Sequence, residues 1–147
     1  MIRAKTGLRV QLVAVSYLLM LVAACSRPVP TDWIMVKDTT PTGDGFVTYA
    51  APSTIRRTGT KVTMLSMIDF TVIPGAKLDR PHFPWIDEWE YECFEGRSLR
   101  PLSFQEYSGK MGTGEKVYGF ASPQWQGIAV TPGSVSEALW KMACGKE

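Results

Sequence analysis

The sequence has few of the residues on which most catalytic and metal centres depend. Its 147 residues include one histidine, three cysteines and no block of like charge. So few histidines and cysteines exclude zinc sites built from four cysteines or three histidines, and we expect no metal and no cofactor. The lack of a basic stripe argues against a nucleic-acid partner. An apolar content of 45% excludes a disordered chain, and the length fits one domain.

Long hydrophobic runs are scarce, and the main one lies at the amino terminus. Residues 1–9 carry three bases and no acid, and Val10–Ala24 is a stretch of fifteen uncharged residues. A membrane-spanning helix needs about 20 apolar residues, so this pattern favours a secretory signal peptide at residues 1–24. Without these residues, 13 bases and 14 acids remain and the net charge is −1.

Small residues precede the first cysteine. The segment Leu21–Cys25 resembles a bacterial lipobox, in which the cysteine receives a lipid and becomes the first residue of the mature chain. We therefore expect a lipidated Cys25, a spacer through residue 31, and the membrane as a partner through that anchor. An aspartate directly after the lipidated cysteine would favour retention in the inner membrane. This sequence has Ser26 at that position, so we expect the outer membrane of a bacterial cell envelope. The alternative is ordinary cleavage that leaves Cys25 unmodified.

Apart from Cys25 the sequence has two cysteines, which is the number that one disulfide needs. Cys93 and Cys144 would meet the oxidising compartment beyond a signal peptide, so a disulfide is expected. It would close a loop of roughly 50 residues and contribute about 4 kcal/mol on the chain-entropy model. Two buried thiols are the alternative. A redox-active pair is disfavoured because the sequence lacks Cys-x-x-Cys.

Residues 32–147 have the patterns of short strands followed by one helix. Pro52–Arg57 is predicted as a helical turn, and Pro101 indicates an edge strand or a bulge. Val62–Phe70 is apolar on both faces and should lie centrally in the sheet. The β-favouring runs predict strands at Trp33–Lys37, Phe46–Tyr49, Val62–Phe70, Trp85–Cys93, Leu99–Tyr107 and Lys116–Phe120.

The clearest alternation runs through Trp85–Cys93. It directs Trp89, Tyr91 and Cys93 to a buried face and places Glu88, Glu90 and Glu92 on the other. Three carboxylates side by side are most simply a solvated outer surface, and acid–base catalysis is the alternative.

The chain ends in a helix signal. Ser134 and Glu137 have capping-box spacing, and Gly145 is placed to end the helix. Cys144 lies off the centre of the apolar stripe, so disulfide formation requires the last turn to bend or unwind. The predicted fold class is α+β: a single antiparallel β-sheet with a C-terminal α-helix packed on one face and tied to it by Cys93–Cys144.

The sequence signals for a function are weaker than those for the fold and the signal peptide. His82 is the only candidate histidine base and lies in a proline-framed loop, so we expect no catalytic residue and no enzyme. Gly109–Gly114 lacks the order of a phosphate loop and is interpreted as a glycine-rich hairpin. Trp85 and Trp125 lie near prolines, where an exposed aromatic side chain could bind a protein partner; packing in the core is the alternative.

Several segments together resemble one family. The chain is similar to the surface-adhesin E family of bacterial lipoproteins, and residues 71–85 are the stretch that matches nothing in it. The matching segments are Trp33–Lys37, Asp44–Ala50, Ser53–Arg57, Met67–Phe70, Tyr91–Cys93, Ser108–Glu115 and Pro132–Gly145.

The resemblance implies a one-domain sheet whose C-terminal helix is held by a disulfide. Only Cys25, Cys93 and Cys144 match positions with a defined role, and no binding residue carries over. Two functions follow as hypotheses. The first is a non-catalytic, cell-surface adhesin domain for extracellular or envelope proteins. The second is a periplasm-facing lipoprotein with a structural or envelope-maintenance role. The oligomeric state and the ligand are left open.

Overall fold

A computed structural model describes residues 28–39, 45–70, 83–94, 97–121 and 126–146. The predictions for the signal peptide, Cys25, His82 and Trp125 lie outside these ranges. The elements are β1 (Ile34–Asp38), β2 (Phe46–Thr58), β3 (Lys61–Phe70), β4 (Trp85–Glu92), β5 (Ser98–Gly109), a 3₁₀ turn (Lys110–Gly112), β6 (Thr113–Ala121), β7 (Ile128–Ala129) and α1 (Val135–Cys144).

The strands form one antiparallel sheet in chain order, from β1 to β6. Each strand pairs with the next, and β7 pairs with the start of β5. The predicted single antiparallel sheet is therefore confirmed. The central position of β3 is also confirmed, since it lies between β2 and β4 with strands beyond both.

The predicted helical turn at Pro52–Arg57 is wrong, because these residues belong to the 13-residue strand β2. They form an extended irregularity of the strand, a bulge in which the pairing with β3 shifts between Ala51 and Arg56. A bulge tolerates Pro52, which cannot donate to a strand ladder. The bulge leaves the Leu65 N–H without a backbone partner in the strand ladder. The Thr54 hydroxyl takes the place of that partner and accepts a hydrogen bond from the Leu65 N–H at 2.9 Å.

Pro101 lies beside a bulge, so the bulge interpretation of this residue is confirmed. The register of β4 and β5 shifts between Glu88 and Trp89, where Trp89 pairs with Pro101 and Glu88 with Ser103. The edge interpretation is wrong, because β5 pairs with β4 on one side and with β6 and β7 on the other.

The sheet has two different faces, which we call the helix face and the open face. The helix face carries the main core, which α1 covers by lying against β1 to β4. Tyr91, Met64 and Val62 are fully buried there. The open face carries Glu88, Glu90 and Glu92, so the predicted alternation of β4 is confirmed.

The helix begins and ends as its sequence signals predict. The Ser134 hydroxyl accepts a hydrogen bond from the Glu137 N–H at 3.2 Å, and Gly145 adopts a left-handed conformation (φ 65°) at the other end. The Glu137 carboxylate accepts from the Gly133 N–H at 2.7 Å, rather than from Ser134 as in a full capping box.

The disulfide joins Cys93, just after β4, to Cys144 with a Cα–Cα distance of 5.5 Å. The expected distortion of the last turn is wrong, since α1 stays helical through Cys144. The reason is the orientation of the helix: Leu139, Trp140, Ala143 and Cys144 are its buried residues, so the buried side is rotated toward Cys144.

Trp140 provides a second attachment of the helix to the sheet. Its indole N–H donates to the Glu92 carbonyl at 2.7 Å, and the Arg97 guanidinium lies 4.4 Å from the centre of its ring. Arg97 also forms an ion pair with Glu137 at 2.7 Å. The residues that the structure describes contain no helix long and apolar enough to cross a membrane.

Candidate binding surface

Six aromatic side chains form a continuous row across the sheet, which we call the aromatic stripe. Neighbouring rings contact each other with centroids 5.0–6.3 Å apart and planes tilted by 49–65°. Offset and edge-to-face contacts of this kind contribute about 0.5–1.5 kcal/mol each beyond area burial. The members, from β2 to β6, are Phe46, Phe70, Trp85, Phe104, Phe120 and Tyr118.

The strand registers place the whole stripe on the helix face. Phe46 pairs with Phe70, which shares its side of β3 with the core residues Val62 and Met64. Phe104 pairs with Phe120 and is opposite Asp87, which shares its side of β4 with Tyr91. The bulge in β5 makes this possible, because it shifts the alternation between Leu99 in the core and Phe104 in the stripe.

The stripe lies at the opposite end of this face from the disulfide and the core beneath α1. The helix packs on the end of the sheet that holds Val62 and Tyr91, whereas the stripe crosses the end at Phe70 and Trp85. Exposure increases toward β6, where Tyr118 is 57% exposed and Phe120 37%. Exposed, clustered aromatic side chains are typical of surfaces that bind proteins.

Trp85 lies in the middle of the stripe. It is half-buried and contacts Phe70 and Phe104, with centroids 5.0 and 5.7 Å away. The packing interpretation of Trp85 therefore agrees with the structure, and contact of Trp85 with a partner stays a prediction. The second tryptophan candidate, Trp125, lies in a segment that the structure does not describe.

A buried carboxylate lies next to the stripe. Asp87 is 9% exposed, and the Trp85 indole N–H donates to its Oδ2 at 2.9 Å. Burial raises the pKa of Asp87 to about 7, and hydrogen bonding by Trp85 and, less strongly, Trp89 opposes part of this shift. Among the described residues, no ion pair reaches Asp87.

Two hydroxyl groups on the helix face are buried without a hydrogen-bond partner. They are Tyr91 OH and Thr48 Oγ1, both on the helix face and at most 1% exposed. Burial, and then the neighbouring Asp87 carboxylate, raise the pKa of the Tyr91 hydroxyl well above its usual range. Buried polar atoms without partners are rare in folded proteins. Among the described residues, the helix face therefore has two unusual buried groups: the Asp87 carboxylate, which no ion pair reaches, and the Tyr91 hydroxyl, which makes no hydrogen bond.

The open face differs from the helix face, because Glu90 in β4 is paired with two cations. Glu90 forms ion pairs with both Lys61 and Arg100 at 2.9 Å, and its side chain is 19% exposed, so it is a paired and partly buried charge rather than a fully solvated one. Within the described ranges, no group of three or more histidine, cysteine, aspartate or glutamate side chains could hold a metal ion.

The segment before β1 also lies on the open face. Asp32 accepts hydrogen bonds from the Ser53 N–H (3.0 Å) and hydroxyl (2.7 Å) in the bulge of β2. These bonds lower the pKa of Asp32. Residues 28–32 line a depression of about 800 Å³ together with Thr63, Leu65 and Glu88.

The glycine-rich segment links β5 to β6 through the 3₁₀ turn, as the hairpin interpretation predicted. Gly112 packs so closely on the open face that a Cβ atom there would lie 2.8 Å from Ile86 Cδ1. The turn therefore covers Ile86 and Met67, which are 6% and 0% exposed.

Sequence reasoning missed the stripe and Asp87. Phe46, Phe70, Phe104 and Phe120 each lie on a predicted strand, but their alignment depends on registers and on the β5 bulge, which no local pattern reveals. In β4, aromatic residues alternate with glutamates, and Asp87 takes a position on the side of the aromatic residues. An acidic residue on the predicted buried side was the signal that could have identified Asp87 from the sequence.

Comparison with known proteins matches this architecture to one family. The family model described as surface-adhesin protein E matches residues 33–145. A crystal structure of Haemophilus influenzae protein E (crystal form II) is similar in fold, with a TM-score of 0.55 and 12% identity over 83% of this chain and 94% of that chain. No curated protein matches the sequence significantly. Because the family model spans most of the chain, including all seven strands and α1, the protein belongs to the surface-adhesin protein E family.

Proposed function

We propose that this protein is a lipid-anchored, non-catalytic adhesin domain of the bacterial cell envelope that binds protein partners through the aromatic stripe. The observation that carries the proposal is the row of six contacting aromatic rings on the helix face, with its most exposed ring, Tyr118, at the β6 edge. Membership of the surface-adhesin protein E family supports a binding role.

The position of residues 28–32 supports an orientation for the anchored domain. Asp32 is bonded to Ser53 on the open face, and Pro28 is three residues from Cys25. Three extended residues span about 10 Å at most. A lipid on Cys25 would therefore hold the open face toward the membrane and leave the helix face, with the stripe, directed away from it.

Labelled fatty acid tests the anchor. Cells producing the wild-type chain should incorporate the label into this protein, and the Cys25→Ser variant should not. Incorporation that persists in the variant would show that the anchor is elsewhere.

Attachment tests the binding surface. Cells producing Tyr118→Ala should attach less to plates coated with extracellular-matrix proteins than cells producing the wild type. Phe94→Ala is the matched control, because Phe94 is 72% exposed but lies beside the disulfide, away from the stripe. Equal attachment of both variants would contradict a binding role for the stripe.

A periplasm-facing structural lipoprotein is the second candidate. The observation that favours it is the short connection between Cys25 and the Asp32–Ser53 bonds, which would keep the domain close to its membrane. Protease added to intact cells distinguishes the two functions: digestion of the domain supports the adhesin, and protection with envelope defects on deletion supports the structural role.

A further inference from the structure

We propose that the helix face binds a cationic side chain of its partner, an arginine or lysine, between the aromatic stripe and Asp87. This inference rests on the proposed binding function and names the chemical group that the surface recognises. It depends on the charges and the aromatic rings at one place in the fold.

The first argument is electrostatic. On the stripe end of the helix face the described charged side chains of β4 and β5 are Asp87 and Glu106, which are opposite Phe104 and Tyr118 in the sheet, and both are acidic. The basic residue of this end, Lys37, lies at the far edge of the sheet, where β1 pairs it with Thr48. Buried carboxylates are normally paired with a cation, whereas Asp87 has none among the described residues. A partner with a positive charge would supply the missing counter-ion.

The second argument concerns the rings. Cations bind preferentially over the faces of aromatic rings, with tryptophan the most favourable. The Trp85 indole N–H donates to the Asp87 carboxylate, which increases the electron density on the ring. The fold already contains one example of this chemistry, since the Arg97 guanidinium lies 4.4 Å from the Trp140 ring centre.

The third argument is the donor capacity of the cation. An arginine has five N–H donors and no acceptor. Such a group would donate to the Asp87 carboxylate, whereas an anionic or apolar partner would leave Asp87 uncompensated.

Peptide binding to the full-length protein, purified from membranes in a non-ionic detergent, tests the proposal. The probe is an acetylated peptide of three Gly-Arg repeats, and the control replaces each arginine by citrulline, which has nearly the same shape and no charge. Tryptophan fluorescence should report binding of the arginine peptide, with an affinity at least tenfold higher than that of the citrulline peptide.

Two neighbouring carboxylates provide matched variants. Asp87→Asn should weaken binding of the arginine peptide about tenfold or more, because it removes the buried charge. Glu88→Gln removes the same charge one residue away on the open face and should change the affinity less than twofold. Equal losses in the two variants would show non-specific attraction and overturn the proposal.

The wild-type protein gives an independent test that needs no variant. The groups facing Asp87 from the adjacent strands, Ser66 and Phe104, do not titrate, and Tyr91 and Glu106 are the other ionisable groups nearby. Only the ionised carboxylate attracts a cation, so the affinity at pH 6 should be about one tenth of that at pH 8. A pH-independent affinity would refute the assignment.

These results separate the two proposals. If the arginine peptide fails to bind while the stripe variant still impairs attachment of cells, the cation site is wrong and the adhesin function stands. If attachment does not depend on the stripe, the proposed function fails regardless of the peptide result.

Discussion

Asp87 makes the stability of this domain depend on pH in an unusual direction. Most carboxylates in folded proteins have lowered pKa values and stabilise the fold as pH rises. Burial raises the pKa of Asp87 from 3.8 to about 7, so the folded state binds a proton more tightly than the unfolded state. The contribution of Asp87 is therefore complete below pH 4 and is lost as pH rises toward 7.

The magnitude follows from the shift. About three pKa units at 1.36 kcal/mol each correspond to roughly 4 kcal/mol between pH 4 and pH 8, as an order of magnitude. That is a large share of the 5–15 kcal/mol that typically stabilises a domain. Asp87→Asn removes the titration, and any unfavourable contact between its amide and the Trp85 indole N–H adds a penalty that does not depend on pH.

Urea unfolding at fixed pH values from 4 to 8 measures this effect. The free energy of unfolding of the wild type minus that of Asp87→Asn should fall by about 1.4 kcal/mol per pH unit in the middle of this range and level off above pH 7. Glu88→Gln removes one carboxylate from the open face and is the matched control, and the change with pH should be larger for Asp87→Asn than for this variant. A flat difference for Asp87→Asn would refute the burial argument.

Three further predictions concern the attachment of the helix. Cys93→Ser with Cys144→Ser should lower the free energy of unfolding by about 4 kcal/mol, and denatured, unreduced wild type should titrate without thiols at these two positions. Ser134→Ala should cost about 1 kcal/mol in urea unfolding, and an unchanged midpoint would contradict the cap. Trp140→Phe keeps a ring for Arg97 but loses the donor to the Glu92 carbonyl, so it should cost about 1–3 kcal/mol; a neutral result would show that water replaces the indole.

The strands and the helix were largely predictable, because local patterns control them. The alternation in β4 separated Tyr91 from Glu90, and Ser134 and Gly145 marked the two ends of α1 correctly. The wrong predictions are at positions where distant residues decide the structure. Pro52 lies in a strand bulge because Thr54 and Asp32 satisfy backbone donors across it, and Asp32 is 21 residues away from Ser53.

By itself, the sequence determined the antiparallel sheet, the terminal helix and the pair of cysteines available to join them, since periodicity, caps and cysteine spacing act over a few residues or follow from counting. The tertiary structure decided that Phe46, Phe70, Trp85, Phe104 and the aromatic residues of β6 form one row and that Asp87 lies beside it. A row that crosses five strands depends on four strand registers and one bulge. Registers arise from contacts between residues far apart in the chain, and a shift of one residue would move each ring to the other face.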